Sequence, residues 1–159
     1  MNPDIKKKLL RKIPYGLYVI GVKSGDDLHG LTGSWLTQVS MNPPVIAIGI
    51  REGTKSLEMI KQGKVLTVNF ISKGGRAIIE HFFKSATREG NRLGQYAFHT
   101  GKTGAPILDE AIGCLECEVK QIADGFGDHA IVIAEVVEAD LPSDADSLVM
   151  SDTPWHYGG

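Results

Sequence analysis

Strand-like patterning dominates this chain. Tyr15–Lys23 is rich in Val, Ile and Tyr and runs into Ser24, Gly25, Asp26 and Asp27, a turn cluster, so that Leu28–Ser40 follows at hairpin distance. Asn42, Pro43 and Pro44 end that strand, because proline lacks an amide donor. Val45–Ile50 is a short unbroken apolar run of the kind a buried strand shows, and Lys64–Ile71 alternates. Gly113–Ala123 and His129–Leu141 are two long strand candidates around a glycine-rich hairpin loop, Asp124–Asp128. Helical spacing is the minority pattern. Asp4–Lys12 places Ile5, Leu9 and Leu10 on one side, and Arg76–Ala86 does the same with Ile78, Ile79, Phe82 and Phe83. Lys55–Gln62 has Thr54 as N-cap and Gly63 as its stop. Many strands, tight turns and two or three helices predict a closed or partly closed antiparallel barrel. A parallel doubly wound sheet needs regular strand–helix alternation, which is absent.

Composition bounds this picture. The 159 residues, read as a single domain over 1–159, are 42% apolar and 23% charged, as in ordinary globular proteins. A net charge of −2 gives no basic footprint for nucleic acid. The charge is uneven: Lys6, Lys7, Lys8, Arg11 and Lys12 crowd the start, while Glu135, Glu138, Asp140, Asp144, Asp146 and Asp152 crowd the end. Either these are solvated surfaces or the two ends meet. Two cysteines make no disulfide scaffold, no signal-like apolar run opens the chain, and no stretch approaches membrane-spanning length. The expectation is a cytoplasmic protein with neither nucleic-acid nor membrane partners.

The candidate chemistry is sparse. Cys114 and Cys117 have C-x-x-C spacing but lie in a strand pattern, where residues three apart face opposite sides, so buried apolar thiols are expected. No two histidines share the i, i+4 spacing of a helical metal site. His129 stands apart because it opens a strand directly after Gly127 and Asp128, where it can donate a hydrogen bond into a cleft. No nucleophile elbow, Walker loop or dinucleotide fingerprint occurs. The informative segment is Gly30–Ser40. As a regular strand it shows Thr32, Ser34, Leu36, Gln38 and Ser40 on one face and a core-like Leu31, Trp35 and Val39 on the other. A polar, uncharged row suits a hydrogen-bond-rich heterocycle. Nearby, Arg51, Thr54, Lys55 and Ser56 precede or open a helix, whose free amides, hydroxyls and lysine make an anion site. Heterocycle and phosphate together suggest a mononucleotide such as FMN.

These residues resemble the flavin reductase-like family. The resemblance runs through Thr32, Gly33, Ser34, Trp35, Leu36, Thr37, Gln38, Val39 and Ser40, then Pro43 and Pro44, then Thr54, Lys55 and Ser56. It continues through Val68-Asn69-Phe70, the Gly104-Ala105-Pro106 loop with Leu115-Glu116-Cys117, and Gly127-Asp128-His129. The closing Trp155–Gly159 is similar to the end of the flavin modules fused to flavodiiron proteins, and the Pro14–Tyr18 opening is similar to flavoredoxins. The resemblance implies a mainly β, antiparallel Greek-key split β-barrel with peripheral helices, forming a homodimer that binds FMN non-covalently. Residues 32–40 (among them Thr32, Gly33, Ser34, Trp35, Leu36, Thr37, Val39 and Ser40) would hold the isoalloxazine. Arg51, Thr54, Lys55 and Ser56 would approach the phosphate, and His129 would lie near the nicotinamide of NAD(P)H. The strand after His129 reads Ala130–Ala134 where the reductase members commonly carry glycine. An NAD(P)H-dependent flavin reductase passing electrons onward is the leading expectation. A carrier reduced by an electron-transfer protein partner, or a non-catalytic FMN module, stands beside it.

Overall fold

Two apolar clusters, one on each side of the first strand, organise the computed structural model, which describes residues 1–159. Strand β1 (Tyr18–Ser24) sends Ile20 and Val22 into one cluster and Val19 into the other, the period-two alternation of a strand buried on both faces. It pairs antiparallel with β2 (Asp27–Gly33) through the expected turn and with β5 (Val65–Phe70) on its other edge. β10 (Gly113–Ala123), β11 (His129–Asp140), β4 (Pro44–Arg51) and β3 (Leu36–Met41) extend the sheet beyond β5. The order β3-β4-β11-β10-β5-β1-β2 places strands distant in sequence side by side, the crossing pattern of a Greek key. The sheet curls until Gly33 of β2 meets Ile48 of β4: a Cβ on Gly33 would stand 2.8 Å from Ile20 and 3.2 Å from Ile48. The expected antiparallel split barrel with peripheral helices is thus the fold the chain adopts.

Three helices flank it. α1 (Pro3–Leu10) is capped by Asn2 and buries none of its residues. α2 (Lys55–Gly63) is capped by Thr54 and lays Leu57, Met59 and Ile60 against the barrel. α3 (Arg76–His81) buries Ile79 in the second cluster.

Three expectations are corrected and one open alternative is resolved. The segment 28–40 is two strands: the chain turns at Ser34 and Trp35, and a bulge follows between Gln38 and Ser40. The third helix ends at His81, and Ala86–Glu89 instead begins a meander of short strands, β6 (Ala86–Glu89), β7 (Arg92–Leu93), β8 (Tyr96–Thr100) and β9 (Pro106–Leu108). Their brevity leaves too little alternation to detect. The left-handed stop of α2 is Lys64, at φ 56°, rather than Gly63. Gly63 serves close approach, since a Cβ there would lie 1.7 Å from the Lys23 carbonyl oxygen. Finally, the two ends do meet, but not through the acidic stretch: Arg11 Nε donates to the Gly158 carbonyl at 3.3 Å, while Asp146 pairs with Lys73 and Glu135 with Lys120.

Candidate functional site

A cleft of about 500 Å³ opens where β2 turns toward β3. The Ser34–Trp35 corner forms one wall, Gly49 to Arg51 of β4 the floor, and His129 of β11 the far side. Gly49 is required: Trp35 lies over it, 3.2 Å from where a Cβ would stand, and its amide donates to the Trp35 carbonyl at 2.9 Å. Phe83, Trp155 and Tyr157 complete the rim. The volume is that of a small-molecule or cofactor site, and the mixture of aromatic faces with a few polar groups is typical of one.

The corner explains which sequence candidates converge. Thr32, Gly33, Ser34, Trp35, Arg51 and His129 line the cleft. Ser34 is 8% exposed, and the Thr32 hydroxyl donates to the Ile79 carbonyl at 2.7 Å. Trp35 Nε1 is buried without any partner, an unmet donor beside the cleft. Leu36, Thr37, Val39 and Ser40 lie outside it on edge strand β3; Val39 is 54% exposed, so the core-like face read from strict alternation does not hold past the corner and the bulge.

The anion candidates divide as well. The cleft reaches Arg51 and stops short of residues 54–56. Thr54 caps α2, accepting from the Leu57 amide, and its own hydrogen goes to the Arg51 carbonyl at 2.8 Å. That hydroxyl therefore has no proton left for a phosphate. Ser56 is 2% exposed and faces His29 Nδ1 at 3.4 Å, away from solvent. Burial, then the nearby Lys55 charge, holds His29 below the usual histidine range, against a hydrogen bond with the Ser85 backbone. Lys55, exposed, and the free amides of the first turn of α2 are what remains for an anion there.

His129 sits in a chain of hydrogen bonds. Its Nδ1–H donates to the Asp128 carboxylate at 2.7 Å, and its Nε2 accepts from the Tyr157 hydroxyl at 2.6 Å. The bond from His129 holds Asp128 below the ordinary carboxylate range. Burial pushes the Tyr157 phenol up, with Arg51 opposing and Asp128 adding to the effect. Trp35 packs against both rings, with centroids 4.5 Å from His129 and 5.1 Å from Tyr157. The neutral imidazole has one N–H, and Asp128 takes it. With Nδ1–H given to Asp128, the neutral ring presents an acceptor toward the cleft, where the sequence suggested a donor.

Two sequence hallmarks turn out to brace the barrel. Buried Asn69 donates from Nδ2 to the Val19 carbonyl at 3.0 Å and accepts the Leu108 amide at 2.8 Å, joining β5 to β1 and β9. Glu116, 4% exposed, accepts the Lys102 and Thr103 amides and the Thr103 hydroxyl at 2.7–2.9 Å, holding the 101–104 loop. Cys114 and Cys117 are buried, and desolvation first, then Glu116, pushes each thiol up to about 12, far from a reactive thiolate. Sequence reasoning missed Gly49, Phe83 and Tyr157 as cleft residues. Only the aromatic density of Trp155-His156-Tyr157 signalled the last.

A family model described as "Flavin reductase like domain" matches residues 10–157. The chain belongs to the flavin reductase-like family. Diflavin flavoprotein A 1 of Synechocystis is 29% identical over 137 residues, covering 86% of this chain but 24% of that protein, so the chain spans a quarter of that relative. The reductase component of 4-hydroxyphenylacetate 3-monooxygenase of Thermus thermophilus is 27% identical over 143 residues, 90% of this chain and 88% of that protein. Among solved structures, the flavin reductase HpaC complexed with NADP+ shares the fold with a TM-score of 0.77 at 25% identity, covering 94% of this chain and 92% of that one.

Proposed function

We propose that this protein is an NAD(P)H-dependent flavin oxidoreductase that holds FMN non-covalently in the cleft beside Trp35. The observation that carries the reading is the convergence, in a member of this family, of Ser34, Trp35, Arg51 and His129 on one cleft. The residues fit a flavin mononucleotide. The Ser34 hydroxyl offers a hydrogen bond to a heterocycle, Trp35 offers an aromatic wall, and Arg51 offers charge to a phosphate. When bound, the flavin supplies the hydride and electron chemistry. The chain's part is to bind it, shield one face and orient a donor. His129, with Nδ1–H held by Asp128, would accept from the carboxamide N–H₂ of a nicotinamide.

A dimer belongs to the same reading. Edge strand β3 exposes Val39 and Met41, the latter 89% exposed. A second copy covering that edge would bring Thr37 to Ser40 into an interface, as the resemblance implies. Two buried free thiols suit a reducing compartment, and we place the protein in the cytoplasm. No helix is long and apolar enough to cross a membrane. Onward transfer of electrons to a protein partner belongs to the same proposal; a relative named as a diflavin flavoprotein carries a segment similar to this chain as 24% of its own length. The test is anaerobic addition of NADH or NADPH to the FMN-loaded protein. Bleaching of the flavin supports the reductase; bleaching only by a reduced iron–sulfur or rubredoxin-type donor assigns the carrier role instead.

A further inference from the structure

Residues 155–158 lie across the cleft as a strap. Trp155 meets Phe83 edge-on, with centroids 4.8 Å apart. Tyr157 packs on Trp35 and donates its hydroxyl proton to His129 Nε2 at 2.6 Å. Gly158 follows at φ 86°, flat against the indole, where a Cβ would stand 2.9 Å from the ring. Its carbonyl accepts from Arg11 Nε at 3.3 Å. This closed arrangement is incomplete, because it buries Trp35 Nε1 without an acceptor, an unfavourable state for a donor. It also leaves no ring nitrogen of His129 free. Tyr157 itself is 42% exposed, so its side chain can swing outward without breaking the core.

We propose that this strap gates the donor side of the cleft, with Tyr157 as its latch. Tyr157 holds the one acceptor, His129 Nε2, that a nicotinamide carboxamide would use, and the dinucleotide enters as the strap lifts from Trp35. Lifting also frees Trp35 Nε1 to find a partner. The proposal rests on reading the cleft as a nicotinamide-accepting flavin site. It makes Tyr157 a competitor of the donor rather than a contact for it. The apparent affinity for the dinucleotide is then reduced by the fraction of molecules in the open state. Deleting the latch hydroxyl removes one hydrogen bond, worth about two- to tenfold in that equilibrium.

Tyr157→Phe tests this, since the ring stays on Trp35 and only the O–H is lost. In a Trp155→Phe background, Trp35 is the sole indole, and its quenching by acrylamide is read on the full chain with and without added FMN. The gate predicts quenching about twofold or more above the parent, and a KM for NAD(P)H lowered about two- to tenfold with kcat changed less. Gly158→Ala, which crowds the strap against Trp35, shifts both readouts the same way should Tyr157→Phe fold poorly. Unchanged quenching, or a KM that rises, makes the segment a fixed wall and overturns the gate. Where NAD(P)H reduces neither protein although dithionite bleaches both, the nicotinamide reading has failed. The quenching then decides the latch alone: a rise supports it and no rise overturns it.

Discussion

Asn69 shows how far one side chain sets this fold. Its amide joins three strands in the core, and no water reaches it. Replacing it with leucine strands the buried Leu108 amide, an unpaired donor costing about 1–3 kcal/mol, and removes one hydrogen bond from the Val19 carbonyl, worth about 0.5–1.5 kcal/mol. Asn69→Leu is expected to lower unfolding free energy by about 2–5 kcal/mol in denaturant titration; a change below 1 kcal/mol would mean the amide is dispensable. His29 makes a pH-dependent contribution. Its folded pKa lies below its ordinary 6.5, through burial first and then Lys55. Between those values the unfolded chain takes a proton that the folded chain refuses, so this stability is present above about pH 6.5 and is lost as pH falls toward the folded value. His29→Gln is expected to flatten the stability curve just below pH 6.5. Glu116, held below its ordinary 4.5 by the Thr103 and Lys102 hydrogen bonds despite burial, acts in a separate, more acidic window. For His129, alanine is expected to slow reduction by NAD(P)H about tenfold, the loss of roughly 1.4 kcal/mol of positioning, and to leave reduction by dithionite unchanged. Equal NAD(P)H rates would remove His129 from the donor site. The Asp128–His129 pair was legible as a strand-end signal; the polarity of the exposed nitrogen was not, because it depends on which partner takes the single N–H.

At the scale of elements, sequence periodicity served where strands ran long and failed where they broke. The ends of β10 and the start of β11 were legible because each strand spans eleven or twelve residues between turn signals. The β2–β3 corner was not, since a turn through Ser34 and Trp35 leaves no mark on an otherwise strand-like composition. That corner decided the site: it carried Trp35 into the cleft and Thr37 to Ser40 out of it. The start of α2 was half legible. Thr54 was recognised as the cap, but the pairing of Ser56 with His29 depends on β2 packing beneath it. Thr54→Ala is accordingly expected to act on stability, costing about 0.5–2 kcal/mol as a lost N-cap, with FMN affinity changed less than threefold. Lys55→Ala is expected to weaken FMN binding, as loss of a charged phosphate partner. Isothermal titration of both variants separates cap from ligand; equal loss of affinity in the two would restore the Thr54 hydroxyl as a phosphate donor.

The molecule as a whole is a barrel whose cofactor-sized cleft is built from distant stretches, among them the β2–β3 corner, β4, Phe83 beyond α3, the start of β11 and residues 155–157. Only folding brings them within one volume. Alone, the chain leaves edge strand β3 bare, with Met41 89% exposed, the kind of edge proteins cover or pair. Met41→Lys with Val39→Lys is expected to convert a dimer into monomers in sedimentation velocity, with weaker FMN retention; a dimer unaffected by both charges would place the interface elsewhere. The most direct test of the central claim is the anaerobic stopped-flow absorbance of the FMN-loaded protein mixed with NADH or NADPH. The cleft described here predicts flavin bleaching whose rate saturates with nicotinamide concentration and drops about tenfold in His129→Ala. Flavin that dithionite bleaches but neither nicotinamide reduces, at any concentration, would contradict it.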